Sequence, residues 1–194
     1  MKKLFISLLF LLLLFLTACS SETNTTREDN DKVVVTTTIG QIADGVKNIG
    51  GDHVKVYSLM GPGVDPHLYK ATQSDLSKLE EADIIFYNGL NLEGQMNEIF
   101  EKMKREKVVY GIAETIDKNE LLYDEDNKNA FDPHIWFDLD LWIQALEQVK
   151  NGLIEMDPDN KEAYEENANA YFEKLRELKE FSLEKMGEIP EEQR

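Results

Sequence analysis

"VVVTTTIGQIADGVKNIGGDHVKVYSLM", residues 33–60, decides the fold. Val33 to Thr38 is a β-branched run without a charge, as expected of a strand covered on both faces. Ile39, Ile42, Val46 and Ile49 then recur at helical spacing, and Gly50-Gly51 closes the segment. "HVKVYSLM", residues 53–60, alternates as a second strand. A strand, a helix and a strand in so short a stretch describe a parallel pair joined by a crossover helix.

The pattern continues downstream. "ATQSDLSKLEEAD", 71–83, reads as a helix, with Thr72 and Asp75 spaced as a capping box. "IIFYNG", 84–89, is a strand, "EGQMNEIFEKMKR", 93–105, a helix, and "KVVYGI", 107–112, a fourth strand. The order predicts an α/β fold, a parallel four-stranded sheet with flanking helices. An acidic loop over 113–133 interrupts it. Helix resumes near Leu139, with Asp138 as candidate N-cap and Trp142, Leu146, Val149 and Leu153 on the apolar face. From Asn160 to Gly187 one long helix is predicted, roughly 40 Å at 1.5 Å per residue. Tyr164, Ala168, Tyr171, Leu175 and Leu178 form its stripe. A coiled-coil seam is the other reading, but alanine and tyrosines in a short stripe favour packing along a domain. "GEIPEEQR", 187–194, reads as the approach to a further strand.

The amino-terminal end concerns compartment. Lys2 and Lys3 precede an apolar run from Leu4 to Leu16, which is shorter than the ~20 residues of a comfortable span. Leu16-Thr17-Ala18-Cys19 has the form of a lipobox, and Cys19 is the only cysteine. The alternative is an uncleaved anchor with an incidental thiol. Residues 1–18 are therefore expected to be a lipoprotein signal peptide and Cys19 the lipidated residue, held at a membrane by more than one acyl chain. Residues 19–32 hold no apolar residue beyond Cys19 and read as a flexible tether. With 38 acidic against 21 basic residues the net charge is −17, which argues against nucleic acid as a partner.

Two of the three histidines share one setting, Asp65-Pro66-His67 and Asp132-Pro133-His134. His67 lies in "GPGVDPHLYK", after the second strand, where loops of parallel sheets line ligand crevices. The preceding prolines restrict both loops. A rigidly presented imidazole suits a metal ion. On spacing alone, however, the pair reads as ordinary surface histidines, with no HExxH, CxxC or local cluster to support more. Asp65 and Asp132 read as turn formers in preference to partners of the rings. His53 reads as structural or solvated.

Through these motifs the chain resembles the metal-binding lipoproteins of bacterial ABC importers, the cluster A-I family. The resemblance runs from about Val33 to Arg194 and is carried by the stretch 34–96 and by "DPHIWFDLDLW", 132–142. It implies two α/β lobes joined by a rigid helix, with the ion between them. It implies His67 and His134 as the first two metal ligands. It implies a permease of an ABC transporter as partner, a monomer when complete, and a place at the outer face of the cytoplasmic membrane. By this resemblance residues 33–157 are the first lobe, 158–187 the linker helix and 188–194 the start of a second lobe. The remaining ligands belong to that second lobe in the family, so the chain is expected to be the first part of such a protein and to hold metal weakly. Mn(2+) is favoured, with Zn(2+) or Fe(2+) possible, because the acidic loop "DKNELLYDEDNKN" lacks histidine. The long helix is expected to expose an apolar face. A surface adhesin, and a secreted hydrolase using His67, His134 and Glu93, are the competing readings.

Overall fold

The structure, a computed structural model, describes residues 31–125 and 127–193. Cys19 and the signal segment lie outside the described residues. Strands β1 (Val33–Thr37), β2 (Val54–Ser58), β3 (Ile84–Tyr87) and β4 (Val108–Gly111) form one sheet in the order β2-β1-β3-β4. All pairings are parallel, with Val35 opposite both Val56 and Ile84, and Ile84 opposite Val108. The order reverses between β1 and β3, which is where open α/β sheets part their carboxyl-terminal loops.

Helix α1 (Gly40–Gly50) follows β1, and α2 (Gln73–Glu81) and α3 (Asn97–Met103) follow β2 and β3. Helices α4 (Leu139–Met156) and α5 (Lys161–Gly187) come after the acidic loop. Ile42, Ala43, Val46 and Ile49 are the buried side of α1, as their spacing requires. Ile84, Ile85 and Phe86 are fully buried. Each such side chain contributes about 1.5–3 kcal/mol relative to exposure. Two glycines set the closeness of α4. A Cβ at Gly45 would fall 2.3 Å from Leu146 Cδ2, and one at Gly152 would fall 2.9 Å from Phe86 Cζ. Glycine there lets α4 lie against α1 and β3.

Element ends shift from the sequence reading where turn chemistry intervenes. The second strand starts at Val54, because Gly51–His53 make a 3-10 turn entered through Gly51 at φ 53°. The helix expected over 93–105 shortens to α3, preceded by a 3-10 turn at Gly94–Met96. Leu90 and Asn91 hold positive φ before it, and Asn97 Nδ2 donates to Asn91 Oδ1 at 2.9 Å. The segment 187–193 ends in a 3-10 turn at Glu191–Gln193 with no strand among its described residues.

The stripe of α5 is corrected by one position. Tyr164, Ala168, Phe172 and Leu175 are buried, in place of Tyr171 and Leu178. Tyr171 stands one residue round the helix from Phe172, at the edge, where its hydroxyl donates to Asp44 Oδ2 at 2.8 Å. Leu178, Phe181, Leu183 and Met186 are exposed, so the last turns carry apolar side chains beyond the core.

The capping box is present. Thr72 Oγ1 accepts from the Asp75 backbone N–H at 3.3 Å, and Asp75 Oδ2 accepts from the Thr72 backbone at 2.9 Å. Tyr69 Oη also donates to Asp75 Oδ2, at 2.7 Å, which ties the loop after His67 to the start of α2. Burial pushes the Asp75 carboxyl up, but hydrogen bonds from Thr72, Tyr69 and Lys78 outweigh it and leave the group below its ordinary range. A depressed carboxyl contributes stability above the unfolded value of about 3.9, and that contribution is lost as pH falls through the folded value. Asp75→Asn is therefore expected to cost about 1–2 kcal/mol at pH 7. In urea melts the gap to the parent chain should narrow below about pH 4. A gap constant from pH 7 to pH 3 would refute this.

Candidate metal centre

The two Asp-Pro-His loops meet at the carboxyl-terminal edge of the sheet. His67 Nε2 and His134 Nε2 lie 3.1 Å apart, with ring centroids 5.1 Å apart and planes at 59°. The two loops follow β2 and β4 in the chain, the strands at opposite edges of the sheet. Among the described residues no group of three or more His, Cys, Asp or Glu is arranged to hold an ion.

The loops are built differently. Among the described residues Asp65 Oδ1 accepts only from the His67 backbone N–H, at 2.9 Å, a turn that leaves His67 exposed. Asp132 Oδ1 accepts from the His134 backbone N–H at 2.9 Å and also faces His134 Nδ1 at 2.6 Å. Asp65 is thus the turn former its sequence suggested, whereas Asp132 is more, and the reading of it as a turn former alone is corrected. The same proline stands in both tripeptides, so it does not by itself account for the second bond. The His134 backbone N–H comes first among the causes that hold the Asp132 carboxyl below its ordinary range, outweighing burial. An ionised Asp132 accepts, so Nδ1 of His134 carries a proton, and in the neutral ring Nε2 keeps its lone pair.

Below His134 the loop is fixed to the sheet. Asn88, at the end of β3, is fully buried and its Nδ2 donates to the Pro133 carbonyl at 2.9 Å. Glu93, 1 % exposed, organises the turn that presents Asn88. It accepts from Thr38 Oγ1 at 2.6 Å, from the Asn88 backbone at 2.8 Å and from the Gly89 backbone at 3.3 Å. Burial pushes the Glu93 carboxyl above its ordinary range against the pull of those donors. So enclosed, Glu93 is a scaffold for the loop, and the role of exposed general base in a hydrolase does not fit it. Trp136 meets the edge of the His134 ring at 5.3 Å, and Asp138 caps α4 by accepting from the Asp140 and Leu141 backbones at 2.9 and 3.3 Å. His53 lies away from the pair, edge-on to Tyr164 at 5.8 Å.

The spacing of the two nitrogens fits a shared ion. Two donors on a tetrahedral ion with bonds of about 2.0–2.1 Å stand about 3.3 Å apart, and neighbouring donors on an octahedral ion at about 2.1 Å stand about 3.0 Å apart. The observed 3.1 Å lies between. Sequence reasoning missed Asn88 and the ring contact of Asp132. Asn88 had a signal, a polar side chain ending the apolar run "IIFYN".

Known proteins share this arrangement of sequence. The family model described as zinc-uptake complex component A, periplasmic, matches residues 35–194. The manganese-binding lipoprotein MntA of Bacillus subtilis is 46% identical over 160 residues, which are 82% of this chain and 52% of that protein. The zinc-binding protein TroA of Treponema pallidum is 42% identical over 83% of this chain and 52% of its own length. The solved structure of periplasmic TroA superposes with a TM-score of 0.78 over 82% of this chain and 57% of that one. Zn(II)-bound AdcA from Streptococcus pneumoniae, at 30% identity, gives 0.68 over 76% and 31%. The chain spans about half the length of the curated relatives it matches. A match over nearly the whole described region places the chain in the family of the zinc-uptake complex component A, a family of metal-binding ABC transporter substrate-binding lipoproteins.

Proposed function

We propose that the chain is the metal-receiving part of an extracytoplasmic solute-binding lipoprotein, which captures a divalent transition metal and passes it to an ABC permease. One observation carries this: two imidazoles from loops 67 residues apart converge at 3.1 Å, one of them with its far nitrogen held by a carboxylate. His67 and His134 are the ligands. Residues 33–157 act as the lobe that presents them, and 158–187 as the stiff connection. Residues 188–194 open a second lobe, and 1–18 and 19–32 serve as signal peptide and tether with the lipid on Cys19. The role is binding, not catalysis. A surface-adhesin role draws on no feature of this site.

Manganese is the favoured cargo, since MntA of Bacillus subtilis and scaA of Streptococcus gordonii are named for it. Zinc or iron(II) in the same role is the second reading, supported by the name of TroA and by the preference of imidazole for the later metals. A ligand that binds the folded state alone raises the melting temperature, and more so the tighter it binds. Melts of the chain with manganese and with zinc should therefore rise with metal and return with a chelator, the larger rise naming the preferred ion. Melting unchanged by either ion at millimolar concentration would overturn the assignment.

A further inference from the structure

We infer that Trp136 is a positioning residue for the metal centre, its indole holding the plane of the His134 imidazole so that the Nε2 lone pair meets the ion. The inference rests on the ligand reading above and names a further residue that serves it. Two contacts reach the nitrogens of the ring: Asp132 Oδ1 faces Nδ1 at 2.6 Å, and His67 Nε2 lies 3.1 Å from Nε2. When an ion enters between the histidines, their direct contact is given up. Asp132 then holds the ring at a single point, about which it can tilt. The Nε2 lone pair lies in the ring plane, so a tilted imidazole aims it away from the ion. Trp136 supplies the contact that opposes tilt, with ring centroids 5.3 Å apart and planes at 75°. Edge-on aromatic pairs at this spacing are attractive as well as bulky.

The indole is itself held. It stands on the 3-10 turn Ile135–Phe137, where Ile135 is 3% exposed. The Phe137 N–H donates to the His134 carbonyl at 3.3 Å and the Asp138 N–H to the Ile135 carbonyl at 3.1 Å, and Asp138 caps α4. With Ile39, Met60, Val64 and Pro66, the indole also lines a cavity of about 510 Å³. His134 does not line that cavity, so Trp136 is the partition between the ligand and the space beside it. A shorter side chain would join the two, giving the imidazole room to tilt and water a path to it. His134 and Trp136 stand two residues apart in the chain, so their contact serves His134 whichever other donors complete the coordination.

The test is calorimetric titration of zinc into the full chain in detergent, for the parent, Trp136→Phe, Trp136→Leu, Trp136→Ala and His134→Ala. Trp136→Ala is expected to weaken zinc binding about three- to tenfold, and Trp136→Leu nearly as much, while Trp136→Phe stays within about twofold of the parent. Leucine fills space without a ring, so the difference between Trp136→Phe and Trp136→Leu separates ring contact from packing. Proton–nitrogen spectra of the histidine rings in the zinc-free chain give a readout independent of affinity. The His134 Nδ1–H signal should persist in the parent and in Trp136→Phe, and broaden in Trp136→Leu and Trp136→Ala. Trp136→Leu binding zinc as tightly as Trp136→Phe would reduce the indole to packing and overturn the positioning role. So would parental affinity in Trp136→Ala while His134→Ala has lost its zinc, an outcome that leaves the ligand reading standing. Unchanged zinc binding in His134→Ala would sink that reading and this inference with it.

Discussion

His134→Ala and His67→Ala are each expected to weaken divalent-metal binding by more than about 100-fold, with Asp132→Asn falling between them and the parent chain at about 10- to 100-fold. The ordering reflects the group each change removes. Without either ring, one imidazole is left, and a single neutral donor cannot displace the hydration of a dication. Asp132→Asn keeps both rings but replaces the carboxylate that fixes the Nδ1 proton and the orientation of His134. Asp65→Asn is the control, because the Asp65 carboxylate bonds to the His67 backbone and not to its ring. It should change affinity little. Isothermal titration with zinc on the four variants reads the series directly. The folds should survive, since His67 is exposed, and His134 and Asp132 have side chains 38% and 42% exposed. Equal losses for Asp65→Asn and Asp132→Asn would contradict the asymmetry of the two loops.

The second large effect is on stability and lies at Glu93. Glu93→Ala removes the acceptor of three donors in the interior, from Thr38, Asn88 and Gly89. Each buried donor left unsatisfied costs about 1–3 kcal/mol, and relaxation recovers part of the sum. A net loss of about 3–5 kcal/mol is expected in denaturant melts. Glu93→Gln retains a carbonyl acceptor and should lose less. A second readout ties the scaffold to the site. If Asn88 loses its position, the Pro133 carbonyl loses its partner and His134 is no longer aimed. The alanine variant should therefore bind zinc more weakly even under conditions where it remains folded. A loss under 1 kcal/mol with unaltered zinc affinity would show that the Glu93 turn is not what holds the loop.

Much of the fold was legible in sequence because apolar patterning and chain direction coincide. The runs at 33–38, 84–89 and 107–112 became strands of the sheet, and Thr72 with Asp75 formed the capping box that their spacing announced. Boundaries failed where local φ demands dominate, at Gly51 and at Leu90-Asn91. In α5 the stripe was misread because Tyr171 and Phe172 are adjacent, and the positions of α1 and α4, against which α5 packs, decide which faces inward. The site was half legible. Repetition of Asp-Pro-His drew attention to both histidines, yet identical tripeptides gave one aspartate that turns a loop and one that also orients a ring. That difference is made by the surroundings of each loop: Asn88 holds Pro133 from beneath, while the Asp65 loop is anchored only further on, through Tyr69. No local pattern encodes such long-range partners.

The strand order has a consequence for how the site opens. The imidazoles come after β2 and β4, the two outermost strands, while β1 and β3 form the middle. Outer strands are hydrogen-bonded on one side only, so they fray at lower free energy than central ones. An ion spanning the two loops would act as a clasp between the loop after β2 and the loop that Asn88 holds to the end of β3. Letting go of the ion would need only the β2 side to loosen, with the Asn88-held loop and the centre left intact.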